Sequence, residues 1–182
     1  MTLKQFAQRK ISLSAYAFGV LVIVLLTQLS QILPGQFYFT FAGFLGIVPE
    51  TTPTHWSALA IKLTIPAATG VLLGRIWGGD GLDAAGPAGI SGALLMAWPA
   101  VILWDFVVPT YAHHRRNAFL IFYALYLASF CSLCRAGARS GLQLHGTRSP
   151  VAEWGSIGRE IATGVGAAIA TTAANWVMFA DD

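Results

Sequence analysis

The chain has 182 residues, of which 55% are apolar and only 10% charged, with a formal net charge of +3. A typical soluble domain carries about a quarter charged residues, so the composition argues against a soluble enzyme domain, a disordered chain and a nucleic-acid binder. It points to an all-α, polytopic integral membrane protein, one transmembrane domain over 1–182, whose basic residues set orientation.

Crossing about 30 Å of hydrocarbon takes roughly 20 helical residues. Five stretches qualify as transmembrane helices, at about 12–33, 57–77, 87–109, 118–136 and 159–179, with four or six spans as the alternatives. Before the first stand Lys4, Arg9 and Lys10, a start that resembles a signal peptide. The apolar run is too long for one, and Ser30 to Gly35 offers no small-x-small cleavage site, so it reads as a retained span.

The segment 36–48 follows, with Phe37, Tyr38, Phe39, Phe41 and Phe44. As a helix it would reach only about 20 Å, so it is expected to be interfacial or re-entrant. Glu50 to Pro53 ends it with turn chemistry. Gly78-Gly79-Asp80-Gly81 reads as a tight turn between the second and third spans.

Basic residues favour a cytoplasmic N-terminus. Lys4, Arg9, Lys10, Arg75, Arg135, Arg139, Arg148 and Arg159 then face inward, and Arg115 and Arg116 outward. The expected location is a bacterial inner (plasma) membrane. On this topology His113-His114-Arg115-Arg116 is an outer loop and Arg135 to Arg148 a basic inner loop that attracts anionic headgroups.

Three spans carry small residues at every fourth position: Pro66, Gly70, Gly74 and Gly78; Ala85, Gly89, Ala93 and Ala97; Ala162, Gly166, Ala170 and Ala174. Each row lies on one helix face and permits close approach. The second, third and fifth spans are therefore expected to form the tight core, with the first and fourth further out.

Polar residues inside spans need a reason, because each is costly there. Lys62 and Asp105 fall at similar depth on neighbouring antiparallel spans and could pair. Gln28 and Asn175 reach a comparable depth, and His55, His113 and His114 stand above them. Together they outline an outer polar layer. The alternative is that Lys62 snorkels and Asp105 is satisfied near the interface. If the histidines converge beside Arg115, Arg116 and Lys62, nearby positive charge should depress their pKa values. At the opposite end Arg135 closes one span and Glu160 opens the next, where helix dipoles favour each and an ion pair can form.

No catalytic constellation emerges. Cys131 and Cys134 have C-x-x-C spacing, but small quinone-linked disulfide-forming membrane proteins need a second pair on the oxidising side. Structural thiols are the better reading. His55, His113 and His114 could bind metal, yet no zinc motif is present. Gly79-Asp80-Gly81 and Gly86 to Gly89 match no nucleotide-binding pattern. Trp154 to Gly158 lacks the nucleophile-elbow spacing.

The expected function is non-enzymatic: an oligomeric scaffold, a sensor, or a subunit of a larger membrane system such as a defence or toxin-immunity pair. No cofactor, metal or nucleic acid is expected. The expected partners are the lipid bilayer and either a second copy or another membrane protein. The alternatives are a small oligomeric ion or proton channel using the outer polar layer, and an intramembrane redox or metal enzyme.

Overall fold

The computed structural model describes residues 11–32, 53–107, 112–144 and 154–179, with side chains described at 11–29, 59–60, 62–96, 123–144, 155–171 and 173. The described residues form five helices. They are α1 (Leu13–Ile32), α2 (Pro53–Trp77), α3 (Gly79–Val107), α4 (Ala112–Leu144) and α5 (Trp154–Phe179). The all-helical expectation is met, and the turn expected over 78–81 is narrower than expected, since Gly78 alone makes it and Gly79 already opens α3. The segment 36–48 and Arg148 lie outside the described residues.

Among the described residues no helix is long and apolar enough to cross a membrane. This corrects the polytopic membrane reading, its topology and the inner-membrane location. In α2 to α5 charged residues and prolines interrupt the apolar runs, and in α1 the run is short. Thr27 and Gln28 close the run in α1. Lys62, Pro66 and Arg75 divide α2, and Asp80, Asp83 and Pro87 occupy the first part of α3. Arg135, Arg139 and Gln143 lie along α4, and Arg159, Glu160 and Thr163 open α5.

Helix boundaries also differ from expectation. The second to fifth helices all start earlier, and α4 runs on to Leu144. His113 to Arg116 is therefore the first turn of α4, not a loop, and Arg135 to Leu144 is helix. Nothing between 112 and 144 breaks the backbone: no proline occurs there, and the glycines Gly137 and Gly141 sit in close packing that outweighs their low propensity.

Gly78 makes the turn between α2 and α3. Its φ of 59° is the left-handed conformation that glycine adopts without a Cβ penalty. Its N–H donates to the Gly74 carbonyl at 3.1 Å, the bond of a left-handed helix cap. Its own carbonyl accepts from the Leu82 N–H at 3.1 Å, which starts α3 in the reverse direction.

The helices alternate in direction. Gly70 faces Cys134 and Gly74 faces Ala138, so α2 and α4 run parallel. Gly86 faces Arg135 while Gly89 faces Phe130, so α3 opposes α4. Gly19 meets Ala88 and Gly92 meets Ile23, so α1 runs with α3. Gly164 meets Leu133 and Glu160 meets Arg139, so α5 opposes α4.

α4 is the hub, packed against α2, α3 and α5, while α1 lies against α3 and α2. This corrects the expectation that the fourth helix stands outside the core. The tightest junction is between α2 and α4, where backbone meets backbone. A Cβ at Gly70 or Gly74 would strike the carbonyl oxygen of Cys134 or Ala138. Gly137 and Gly141 present the same fit to the Ala67 and Val71 carbonyls. Rows at four-residue spacing on both helices thus interlock as ridge and groove.

Two apolar clusters fill the interior. One joins Ala15, Leu73, Ala84, Ala85, Ala88, Cys134 and Ala138. The other joins Ile23, Ile65, Ala93, Tyr126 and Phe130. Gly89 packs against the Phe130 backbone. Three buried hydroxyls are satisfied within their own helices: Thr27 donates to the Ile23 carbonyl, Thr69 to Ile65 and Thr171 to Ala168, whereas the buried Ser129 Oγ meets no hydrogen-bond partner among the described residues.

The fifth helix uses a different face from the one expected. Ala162 and Gly166 are exposed, and a Cβ at Gly166 would meet nothing within 4 Å. Ala170 is half-buried. The buried face of α5 is Ile157, Gly164, Ala167, Ala168 and Thr171. Four-residue spacing defines a face; which face is inward depends on the partner helix.

Candidate functional site

Among the described residues a group of charged side chains lies between α4 and α5. On α4, Ser132, Arg135 and Arg139 recur at intervals of three and four residues and share one face. On α5, Ser156, Arg159, Glu160 and Thr163 do the same. The antiparallel packing of the two helices turns these faces toward each other. Between them is an open cleft of about 270 Å³ lined by Ser132, Arg139, Ser156, Arg159, Glu160 and Thr163.

Glu160 bridges two arginines. Arg139 Nε donates to one carboxylate oxygen at 2.9 Å, and Arg135 Nε lies 3.3 Å from the other. The side chains of Arg139 and Glu160 are only 20% and 18% exposed, while Arg135 is 44% exposed. The Arg139 contact is therefore the better screened from solvent and the stronger of the two. Arg159 is exposed, and its Nε donates to the Gly155 carbonyl at 3.3 Å.

From the sequence Arg139 and Arg159 counted only as inward-facing basic residues, with Arg139 in a basic loop, and neither they nor Ser132, Ser156 and Thr163 were joined to Glu160. A signal existed: Arg139 stands one helical turn beyond Arg135 and must share its face if the helix continues. Treating 135–148 as a loop hid that relation.

Cys131 and Cys134 are both free thiols on α4. Burial pushes the Cys131 thiol up; the Arg135 charge beside it opposes this and Glu160 adds to it. Cys134 is fully buried, and burial, with Cys131 beside it, pushes its thiol up to about 12. A thiol so raised carries almost no thiolate at neutral pH and is a poor nucleophile.

The residues of the expected outer polar layer are only partly described. Lys62 is half-buried on α2, and burial lowers its pKa from 10.5 to about 8. Gln28 is exposed on α1, with its Nε2 3.9 Å from the Met96 sulfur of α3. The side chains of His55, Asp105, His113, His114 and Asn175 lie outside the described residues. Among the described residues no group of three or more His, Cys, Asp or Glu could hold a metal ion.

No protein-family model matches this chain, and no curated protein or solved structure is similar to it. Function must be read from surfaces.

The second feature of note is apolar. Leu13, Ala17, Leu21, Leu25 and Leu29 follow one another at every fourth position of α1, and all are exposed. The leucines are 77%, 54%, 50% and 57% exposed. The opposite side of α1 is buried through Ala15, Gly19, Ile23 and Thr27, and Tyr16 anchors it by donating to Ser91 Oγ of α3 at 2.7 Å. The stripe therefore points away from the bundle. It extends over 17 residues from Leu13 to Leu29, a rise of roughly 24 Å at about 1.5 Å per step.

Proposed function

We propose that this chain is a non-enzymatic helical assembly subunit that associates with a second copy of itself through α1. The observation that carries the reading is the exposed stripe of Leu13, Ala17, Leu21, Leu25 and Leu29. A contiguous apolar surface of this kind marks an interaction site. A four-residue spacing forms a ridge that can lie in the matching groove of another helix.

Self-association is favoured by charge. α1 contains no acidic or basic residue along Leu13–Ile32, so two identical copies meet without repulsion. A two-fold arrangement places the same patch on both partners and closes the assembly. Full burial of a leucine is worth about 1.5–3 kcal/mol, so four half-exposed leucines from each copy contribute several kcal/mol toward the cost of association.

The test is sedimentation velocity over a hundredfold range of concentration. The wild type should be a dimer or larger. Replacing Leu21 and Leu25 together by Gln should yield a monomer with unchanged helical circular dichroism, because neither side chain supports the bundle. A wild-type monomer throughout, or a variant that assembles like the wild type, would refute the reading.

A further inference from the structure

We propose that the α4–α5 cleft binds inorganic hydrogen phosphate, with arginine guanidinium groups and hydroxyls holding its charged oxygens and Glu160 accepting its O–H. This site is on a different helix pair from the α1 stripe and does not depend on self-association.

The first argument is charge. Arg139 and Arg159 line the cleft with one carboxylate, Glu160, which also pairs with Arg135, so in this group of described residues three arginines stand against one carboxylate. Arginine is the side chain best suited to tetrahedral oxyanions, because its planar fork presents five donors. Glu160 engages Arg139 and Arg135 through their Nε atoms, and the terminal nitrogens of each guanidinium add further N–H groups. Hydrogen phosphate carries the two negative charges that complement this excess.

The second argument is the donor and acceptor pattern. Ser132 and Thr163 line the same cleft and can each donate to an anionic oxygen. Glu160 can only accept. Its two oxygens offer about four lone-pair positions, and the two arginine contacts use one on each oxygen. A carboxylate among arginines repels an anion without protons but accepts from one that carries an O–H. Hydrogen phosphate has that proton. Sulfate has none, and a phosphate monoester, with its second pKa near 6, has lost its last proton at about pH 8.

The third argument is access. The cleft is open to solvent, and Arg159 on its rim is exposed and outside the ion pair. A small ion can enter without any helix moving.

Isothermal titration of the full chain at about pH 8 and constant ionic strength tests the proposal, with sodium phosphate, sodium sulfate and methyl phosphate as probes. Phosphate should bind saturably at one site per chain. Sulfate and methyl phosphate should bind at least roughly tenfold more weakly, because each leaves Glu160 facing an unprotonated oxygen. Arg159→Gln should weaken phosphate by about tenfold or more with the melting temperature unchanged. Glu160→Gln, whose amide can also donate, should remove the preference for phosphate over sulfate. The proposal is overturned if phosphate binding does not saturate, if sulfate equals phosphate in the wild type, or if Arg159→Gln binds phosphate as the wild type does. Should Glu160→Gln fail to fold, the wild-type comparison and Arg159→Gln still decide.

Discussion

Gly74→Ala and Gly166→Ala should change stability in opposite directions, although both are glycines within helices. Alanine is a better helix former than glycine by about 1 kcal/mol, so an unobstructed site gains from the exchange. Gly166 is such a site: it is exposed, and an added Cβ meets nothing within 4 Å. At Gly74 the Cβ falls on the carbonyl oxygen of Ala138. That neighbour is backbone in the middle of α4 and cannot rotate away as a side chain would. α2 and α4 must separate, which loosens the interlocked row of Gly70, Gly74, Gly137 and Gly141. Overpacking of a tight interior costs about 1–3 kcal/mol, and a backbone obstacle places this case at the upper end. After the propensity gain, Gly74→Ala should lose about 2 kcal/mol and Gly166→Ala should gain somewhat under 1 kcal/mol. For a chain of this size 1 kcal/mol moves the melting temperature by about 2–4 °C. Thermal denaturation followed by circular dichroism should place Gly74→Ala about 4–8 °C below the wild type and Gly166→Ala slightly above it. The comparison must be made at one protein concentration, because assembly shifts apparent stability. Equal melting temperatures for the two variants would refute the backbone contact between α2 and α4.

Lys62 supplies a pH prediction. Its pKa falls from 10.5 to about 8 on folding, so the folded chain disfavours the charged form. The unfolded chain therefore binds more protons between these values, and stability rises with pH across that window. The contribution is fully present above about pH 10.5 and is lost as pH falls through about 8; at about 1.4 kcal/mol per pH unit it is on the order of 3 kcal/mol. Lys62→Met should remove this slope and raise the melting temperature at neutral pH; a slope that persists in the variant would mean other groups cause it. Thiol labelling is a further test. In the folded chain the half-buried Cys131 should react slowly with a thiol reagent at about pH 8, and Cys134 only on unfolding. Equal reaction of both in the folded state would show that α4 is not the packed hub.

Much of the helical content follows from local chemistry. Apolar runs bounded by Pro34, Pro53, Gly78 and Pro150 divide the chain into helical stretches, and Gly78 marks its turn because left-handed backbone needs no Cβ. Arg135 and Glu160 were legible as a pair because consecutive helices were expected to run antiparallel; the structure forms the pair within the two helices, not at the helix ends where the dipoles were expected to favour it. Composition was less informative: few charges suggested membrane spans, yet no described helix is long and apolar enough to cross a membrane.

What the sequence by itself determined is the helical class of the described segments and the four-residue rows along them. These depend on backbone sterics and residue spacing, which act within a few turns. The tertiary structure alone decided which rows meet. Gly70 and Gly74 lie on the backbone of α4, whereas Ala162 and Gly166, with the same spacing, face outward. It also decided that Arg139 and Arg159 share a cleft with Glu160. A helix carries several faces of similar composition, and the one it buries is selected by the shape of a neighbour distant in the chain. That selection is a property of the pair, so neither helix encodes it alone.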